Sequence, residues 1–244
     1  MSTETLAALA AAVFVIAVLY SSVGHAGASG YIAAMTLFGL APEEIRPIAL
    51  ALNILVASIA TFQFWRAGHF SWSLFWPFAL LAPPFAFLGG FLNLPVHIFK
   101  VLVGIVLLFS ALQFLVRPPE EGSPSPPMKP VATAIGAGLG LMSGLTGTGG
   151  GIFLTPLLIL ARWARTRNAS AVSTLFILVN SIAGMLGNLS ATRSFPSFAL
   201  VLAAGAIAGG TIGSYLGSNK LPPVAVKRLL AVVLIIAGYK LVFT

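Results

Sequence analysis

The chain is a succession of long apolar runs separated by short polar or glycine-rich breaks. The runs lie near 5–22, 31–40, 47–65, 71–92, 96–116, 131–145, 151–161, 171–190, 196–217 and 224–243. Six of them are about 19–22 residues long, enough for a helix to cross a hydrocarbon core of ~30 Å. The 5–22 run is slightly shorter, and 31–40, 131–145 and 151–161 are too short to span alone. Glu4 precedes the first run, no base does, and no small-residue cleavage pattern is evident. The expectation is that 5–22 is retained rather than cleaved as a signal peptide.

One stretch differs in kind. Residues 117–130, RPPEEGSPSPPMKP, hold six prolines in fourteen positions, which excludes a helix and predicts a stiff, solvated linker. The segments on either side resemble each other. Laying 24–40 over 144–160 matches Gly24, Gly27, Gly30, Ile32, Leu37 and Leu40 with Gly144, Gly147, Gly150, Ile152, Leu157 and Leu160. Further on, Leu52, Ile54, Leu55, Val56, Ser58, Ile59 and Ala60 match Leu175, Ile177, Leu178, Val179, Ser181, Ile182 and Ala183. Leu94, Pro95 and Lys100 then match Leu221, Pro222 and Lys227. The collinear order points to an internal duplication. Residues 1–116 form a first membrane repeat, 117–130 the linker and 131–244 a second repeat. Each repeat is a Gly-interrupted pair of apolar pieces followed by three full spans.

Topology turns on whether the interrupted pair crosses the membrane or re-enters. With re-entrant pairs, one side holds Arg66, Arg117, Lys129, Arg162, Arg165, Arg167, Lys220, Lys227 and Arg228, and the other Arg46, Lys100, Arg193 and Lys240, nine bases against four. With crossing pairs the split is eight against five. The positive-inside bias favours the re-entrant, inverted arrangement.

The breaks themselves are the most informative segments: Gly24-His25-Ala26-Gly27-Ala28-Ser29-Gly30 and Gly144-Leu145-Thr146-Gly147-Thr148-Gly149-Gly150-Gly151. Each glycine costs a helix about 1 kcal/mol relative to Ala, so the run 147–151 unwinds it. Unwound backbone at membrane depth must be buried in protein or line a polar cavity. Helices restarting near Ser29 and Gly151 would aim their N-terminal N–H groups into the break, where an anion is favoured. Hydroxyls of Ser29, Thr146 and Thr148 add donors. Close helix packing is the competing reading for glycines. It suits Gly136, Gly140 and Gly144, and Gly205, Gly209 and Gly213, each set four apart. Neither a P-loop nor a dinucleotide fingerprint fits the breaks.

Composition narrows the chemistry. Of 244 residues, 13 are Lys or Arg and 5 are acids, 7% charged, with 58% apolar; a soluble domain averages about 25% charged. The mean hydropathy is +1.02. These values exclude a soluble, disordered or disulfide-built protein, and no nucleic-acid partner is inferred from the net charge of +8, which topology explains. There is no cysteine, and the acids Glu4, Glu43, Glu44, Glu120 and Glu121 all fall in termini or loops. Neither a membrane-embedded carboxylate relay nor paired-carboxylate catalysis is available, so no enzyme is expected. No His group has metal spacing, and neither metal nor cofactor is expected. Asn53, Asn180 and Ser181 lie at membrane depth, as interhelical glue or as donors to a substrate. His25 sits in the first break, as a hydrogen-bonded structural residue or as a group that couples proton and substrate movement. Trp65, Trp72 and Trp76 with His69 read as an interfacial belt.

GLTGTGGGIFLTPLLIL (144–160), the Arg-rich loop and ASAVSTLF (169–176) together resemble the second-half signature of the TauE/SafE-type sulfite exporter family, and YSSVGHAGASGYIAAM (20–35) is similar to its first repeat. The resemblance covers essentially the whole chain. It implies a duplicated helical permease for sulfite or small organosulfur anions. The first break departs from the pattern, with Ala28-Ser29-Gly30 where the second has three glycines, and with His25.

The expectation is therefore an all-α integral membrane protein of two homologous, inverted repeats in the cell inner membrane. It moves a small anion, sulfite or an organosulfonate, by alternating access; an anion channel through the same Gly-lined site is the alternative. The expected substrate-binding residues are Gly24, His25, Gly27, Ser29, Gly30, Asn53, Thr146, Gly147, Thr148, Gly149, Gly150, Gly151, Asn180 and Ser181. Membrane lipid is the other expected partner, and a homodimer is compatible with the sequence.

Overall fold

In the computed structural model residues 2–92, 108, 111–112, 123–192 and 199–243 are described. Most of the expected 96–116 span, with Lys100 and His97, lies outside these residues, as do Leu94, Pro95, Arg117, Glu120, Glu121 and Arg193. The first segment holds α1 (Thr3–Ser22), α2 (Ala28–Leu37), α3 (Pro42–Arg66), α4 (Trp72–Ala79) and α5 (Ala82–Phe91). The rest holds α6 (Lys129–Thr146), α7 (Gly151–Leu160), α8 (Thr166–Thr192), α9 (Ala199–Tyr215) with a π turn at Leu216–Lys220, and α10 (Pro223–Phe243).

Four of these stretches are long and apolar enough to cross a membrane: Thr3–Ser22, Glu44–Arg66, Thr166–Ser190 and Ala199–Lys220. The bent pair α4–α5 makes a fifth. The apolar run at 71–92 reads as one helix, but α4 and α5 meet at 42°. Pro83 and Pro84 explain the bend: they supply no N–H to the preceding turn and fit only at the start of a new helix. The run at 131–145 looks too short to span, yet α6 has 18 residues, about 27 Å. Lys129 and Pro130 form its first turn, so the helix begins inside the Pro-rich stretch, where Pro is tolerated. Residues 123–128 before it carry no helix. Both short helices, α2 and α7, restart where expected, at Ala28 and Gly151.

The polarity is that of a membrane protein turned outward. Leu200, Leu186, Phe62 and Val15 face outward, each more than half exposed. Inside lie His25, Asn53, Asn180 and Ser181, with thirteen further buried polar residues between Ser21 and Ser218 among those described, including Ser143, Thr155 and Ser173.

Packing follows a reciprocal scheme. One core joins α1, α2, α3 and α9 through Leu9, Val13, Tyr31, Ile48, Leu52 and Leu202. Another joins α6, α7, α8, α4 and α5 through Ala132, Leu154, Leu158, Val172, Phe78 and Ala82. Each core draws on helices from both sides of the 123–128 stretch. The glycines set four apart do pack helices closely. Gly136, Gly140 and Gly144 lie against the backbone of Phe78, Ala82 and Ala86, so α6 runs parallel to α4–α5. Gly205, Gly209, Gly213 and Gly217 lie against Ala10, Phe14, Val18 and Ser22, so α9 runs parallel to α1. In each case a Cβ would strike backbone, which is why only glycine fits.

Candidate functional site

In the first break α1 ends at Ser22 and the chain tightens on itself, with the His25 N–H donating to the Tyr20 carbonyl at 2.9 Å. Gly27, at φ +102°, caps α2 in a left-handed conformation, and a Cβ there would meet the Tyr31 ring at 2.7 Å. Helical bonding in α2 begins with Tyr31 N–H donating to Gly27 O. The N–H groups of Ala28, Ser29 and Gly30 are thus left without intrahelical acceptors, as at any helix start. Ser29 Oγ donates to Tyr20 Oη at 3.1 Å, and the buried Tyr31 hydroxyl has no partner. His25 is 2% exposed. Its Nε2 lies 2.9 Å from Thr155 Oγ1, a turn inside α7, and its Nδ1 is buried without a partner. The first break is thereby tied to α7.

The second break spans Gly147–Gly150. Gly150, at φ +78°, caps α7. A Cβ on it would meet Phe176 at 3.0 Å, the Leu139 carbonyl at 3.2 Å and Ser143 at 3.3 Å. Phe153 and Leu154 donate to Gly150 O, so the helical ladder starts there and the N–H groups of Gly151 and Ile152 precede it. Around them the hydroxyls of Ser143 and Ser173 are buried and unpartnered. Gly149 lies where a Cβ would meet Ile177 at 2.7 Å, Asn53 Nδ2 at 2.9 Å and Ser181 Oγ at 3.0 Å. The break therefore rests on the middles of α3 and α8. Asn53 Nδ2 donates weakly to Ser181 Oγ across 3.4 Å, and Asn53 Oδ1 is left without a partner.

Gly149 meets Asn53 of α3 and Ser181 of α8, with Gly150 and Gly151 next to it in the chain, and His25 meets Thr155 of α7. Gly24 and Gly147 serve the outer ends of the breaks: Gly24 lies against Ser170 of α8, and Gly147 against Arg46 and Leu50 of α3. Gly30 packs on Ile16 and Tyr20 of α1. Thr146 and Thr148 bond to each other at 2.8 Å, and Thr146 also donates to the Met142 carbonyl at 2.7 Å, so their hydroxyls are engaged locally rather than presented as free donors. Asn180, expected as interhelical glue or as a donor to a substrate, has both amide atoms buried with no partner among the described residues.

The arginines after the two breaks form matching clasps. Arg46 Nη2 donates to the carbonyls of Gly89 and Gly144, and Nη1 to that of Leu92 at 3.4 Å. One cation thus joins the C-terminal ends of α5 and α6, where the helix dipoles are negative. Arg167 Nη2 donates to the Leu221 carbonyl, beyond α9, at 2.8 Å. Among the described residues, neither guanidinium is paired with a carboxylate.

Thr155, Tyr20, Ser143, Ser173 and Ser170 escaped the sequence reading. Thr155 carried a signal: a lone hydroxyl in the apolar run GIFLTPLLIL, one turn after the break. The serines of α6 and α8 carried none, because a small hydroxyl on a packed helix is ordinary.

The comparisons with known proteins agree with this architecture. The chain is 38% identical over 248 residues to the probable membrane transporter protein y4hK of Sinorhizobium fredii, an alignment covering 100% of both chains. It is 28% identical over 113 residues to the probable membrane transporter protein YunE of Bacillus subtilis, covering 46% of this chain and 41% of that one. No solved structure gives a significant match. The family model described as sulfite exporter TauE/SafE matches residues 9–241, and the chain belongs to that family.

Proposed function

We propose that the protein is a secondary carrier for a small sulfur oxyanion, sulfite or an organosulfonate, working by alternating access in the inner membrane. The observation that carries this reading is the layer where the two breaks meet α3 and α8. It offers helix N-termini, buried hydroxyls and amides, and the unpartnered Nδ1 of His25, drawn from both repeats. Neutral donors suit a carrier. They compensate an oxyanion for its lost water without a fixed charge that would trap it.

We further infer that the repeats are inverted, with the helix pairs re-entrant. The support is a set of end-to-end bonds. Ser125 N–H, just before α6, donates to the Arg162 carbonyl, just after α7, at 3.0 Å, so the α6–α7 pair returns to the end where it started. Asn168 Nδ2 donates to the His69 carbonyl and His69 Nε2 bonds to the Ser218 carbonyl, placing the starts of α4 and α8 and the end of α9 there too. Arg46 places the start of α3 at the opposite end, with the ends of α5 and α6. Because α9 is parallel to α1 while α4–α5 is parallel to α6, α1 and α6 run in opposite senses. The first end carries Arg66, Lys129, Arg162, Arg165, Arg167 and Lys220, and is the cytoplasmic one by the positive-inside rule.

The test is flux in proteoliposomes with sulfite, sulfate, sulfoacetate, thiosulfate and acetate, with and without a pH gradient. The expected result is saturable flux of sulfite or the sulfonate, with counterflow. Unsaturable conductance without counterflow would replace the carrier with a channel, and no flux of any sulfur anion would reject the reading.

A further inference from the structure

A groove of about 770 Å³ runs along the outer faces of α3 and α9 at the cation-rich end. It lies on the far side of α3 from Asn53 and is separate from the layer between the breaks. Its lower wall is Ser58, Ile59 and Phe62; its upper part is Arg66, Tyr215 and Asn219. Phe62 and Tyr215 are about half exposed, at 55% and 49%. From Ser58 to Arg66, α3 rises about 12 Å, passing from apolar side chains to a cation. Trp65, 60% exposed beside Arg66, marks the interfacial level.

Two features make this a site rather than a seam. Arg66 has no hydrogen bond or ion pair with any described residue. Its helix begins with Glu43 and Glu44, but about 33 Å away, and Glu4 starts α1 at that same far end. The π turn Leu216–Lys220 then widens the end of α9, a distortion often found at functional positions. It turns Asn219 into the groove, where its Nδ2 is held by Ser218 Oγ at 2.7 Å. Below it, Gln63 Nε2 donates to the Thr211 carbonyl, closing α3 onto α9, while Gln63 Oε1 is buried without a partner.

We propose that this groove binds an anionic phospholipid, with the phosphodiester at Arg66, the glycerol region at Asn219 and Tyr215, and an acyl chain along Ile59 and Phe62. An anionic headgroup is selected over a zwitterionic one by charge. Arg66, with Lys220 following Asn219 at the same end, repels a choline or ammonium, and no described acid at this end compensates. One surface cation contributes about 1 kcal/mol toward an anionic lipid, about fivefold in affinity.

Native mass spectrometry of the full-length protein in detergent tests this, with phosphatidylglycerol, phosphatidylcholine of the same acyl chains, and glycerol 3-phosphate as probes. Phosphatidylglycerol is expected to be retained about fivefold better than phosphatidylcholine, and glycerol 3-phosphate not at all. Arg66→Gln should lower phosphatidylglycerol retention to the phosphatidylcholine level and Arg66→Lys should keep the preference. Ser58→Trp, which fills the acyl channel without changing charge, should weaken both lipids. Equal retention of the two lipids, undiminished binding by Arg66→Gln, or binding of glycerol 3-phosphate as strong as that of the lipid would overturn the proposal.

Discussion

Thr155 is the residue through which the first break reaches α7. Its hydroxyl is the partner of His25 Nε2 at 2.9 Å, and both side chains are buried. Thr155→Val keeps the shape and removes the partner. A buried polar atom stranded in this way costs about 1–3 kcal/mol. The variant should therefore unfold at a lower temperature in detergent, and Thr155→Ser should restore the wild-type value. Equal melting of Thr155→Val and wild type would mean that the contact contributes nothing. Gly150 is constrained differently, by its backbone. A left-handed conformation costs a residue with a Cβ roughly 1–2 kcal/mol, and a β-branched side chain more. Here the added atoms also meet Phe176 and the Leu139 carbonyl. Gly150→Val should insert in the membrane normally and lose sulfite flux; normal flux would remove the break from the substrate site.

At the scale of elements, two glycines two residues apart, on opposite faces of α6, offer a controlled comparison. Gly140 faces α5, and a Cβ there would strike the Ala82 backbone; Gly138 on the same helix has nothing within 4 Å. Gly140→Ala must push α6 from α5, and overpacking of this kind costs about 1–3 kcal/mol. Gly138→Ala should be neutral or stabilise by up to about 1 kcal/mol through helix propensity. Thermal unfolding of the two variants in detergent checks the pair, and similar effects would contradict the packing described. The spacing of these glycines was legible because period four marks one helix face. Their partner was not, since a pattern names the face and leaves the neighbour open. Glycine density likewise located the helix restarts after both breaks, expected near Ser29 and Gly151 and found at Ala28 and Gly151, while each break is shorter than its glycine run. The bend at Pro83-Pro84 was hidden by an unbroken apolar run, and the first turn of α6 by the prolines of the linker. The pairing of His25 with Thr155, and the isolation of Asn180, depend on how distant helices meet and left no local trace.

At the scale of the whole molecule, the proposed inverted arrangement makes a demand that no single contact makes: equivalent loops of the two proposed repeats must lie on opposite sides of the membrane. Glu43, in the first turn of α3, belongs with Arg46 at the end where α5 and α6 finish. Arg165, just before α8, belongs with Arg162 and Ser125 at the other. The absence of native cysteine allows Glu43→Cys and Arg165→Cys to be labelled one at a time in intact cells. An impermeant maleimide should reach position 43 from outside and position 165 only after permeabilisation. The Arg165 substitution leaves eight bases against four across the two faces, so the charge bias that orients the chain is preserved and the label reports the native topology. Full crossing by α1–α2 and α6–α7 would place both cysteines on one face. That result would overturn the inverted arrangement, because two halves with four crossings each lie parallel, with equivalent loops on the same side of the membrane.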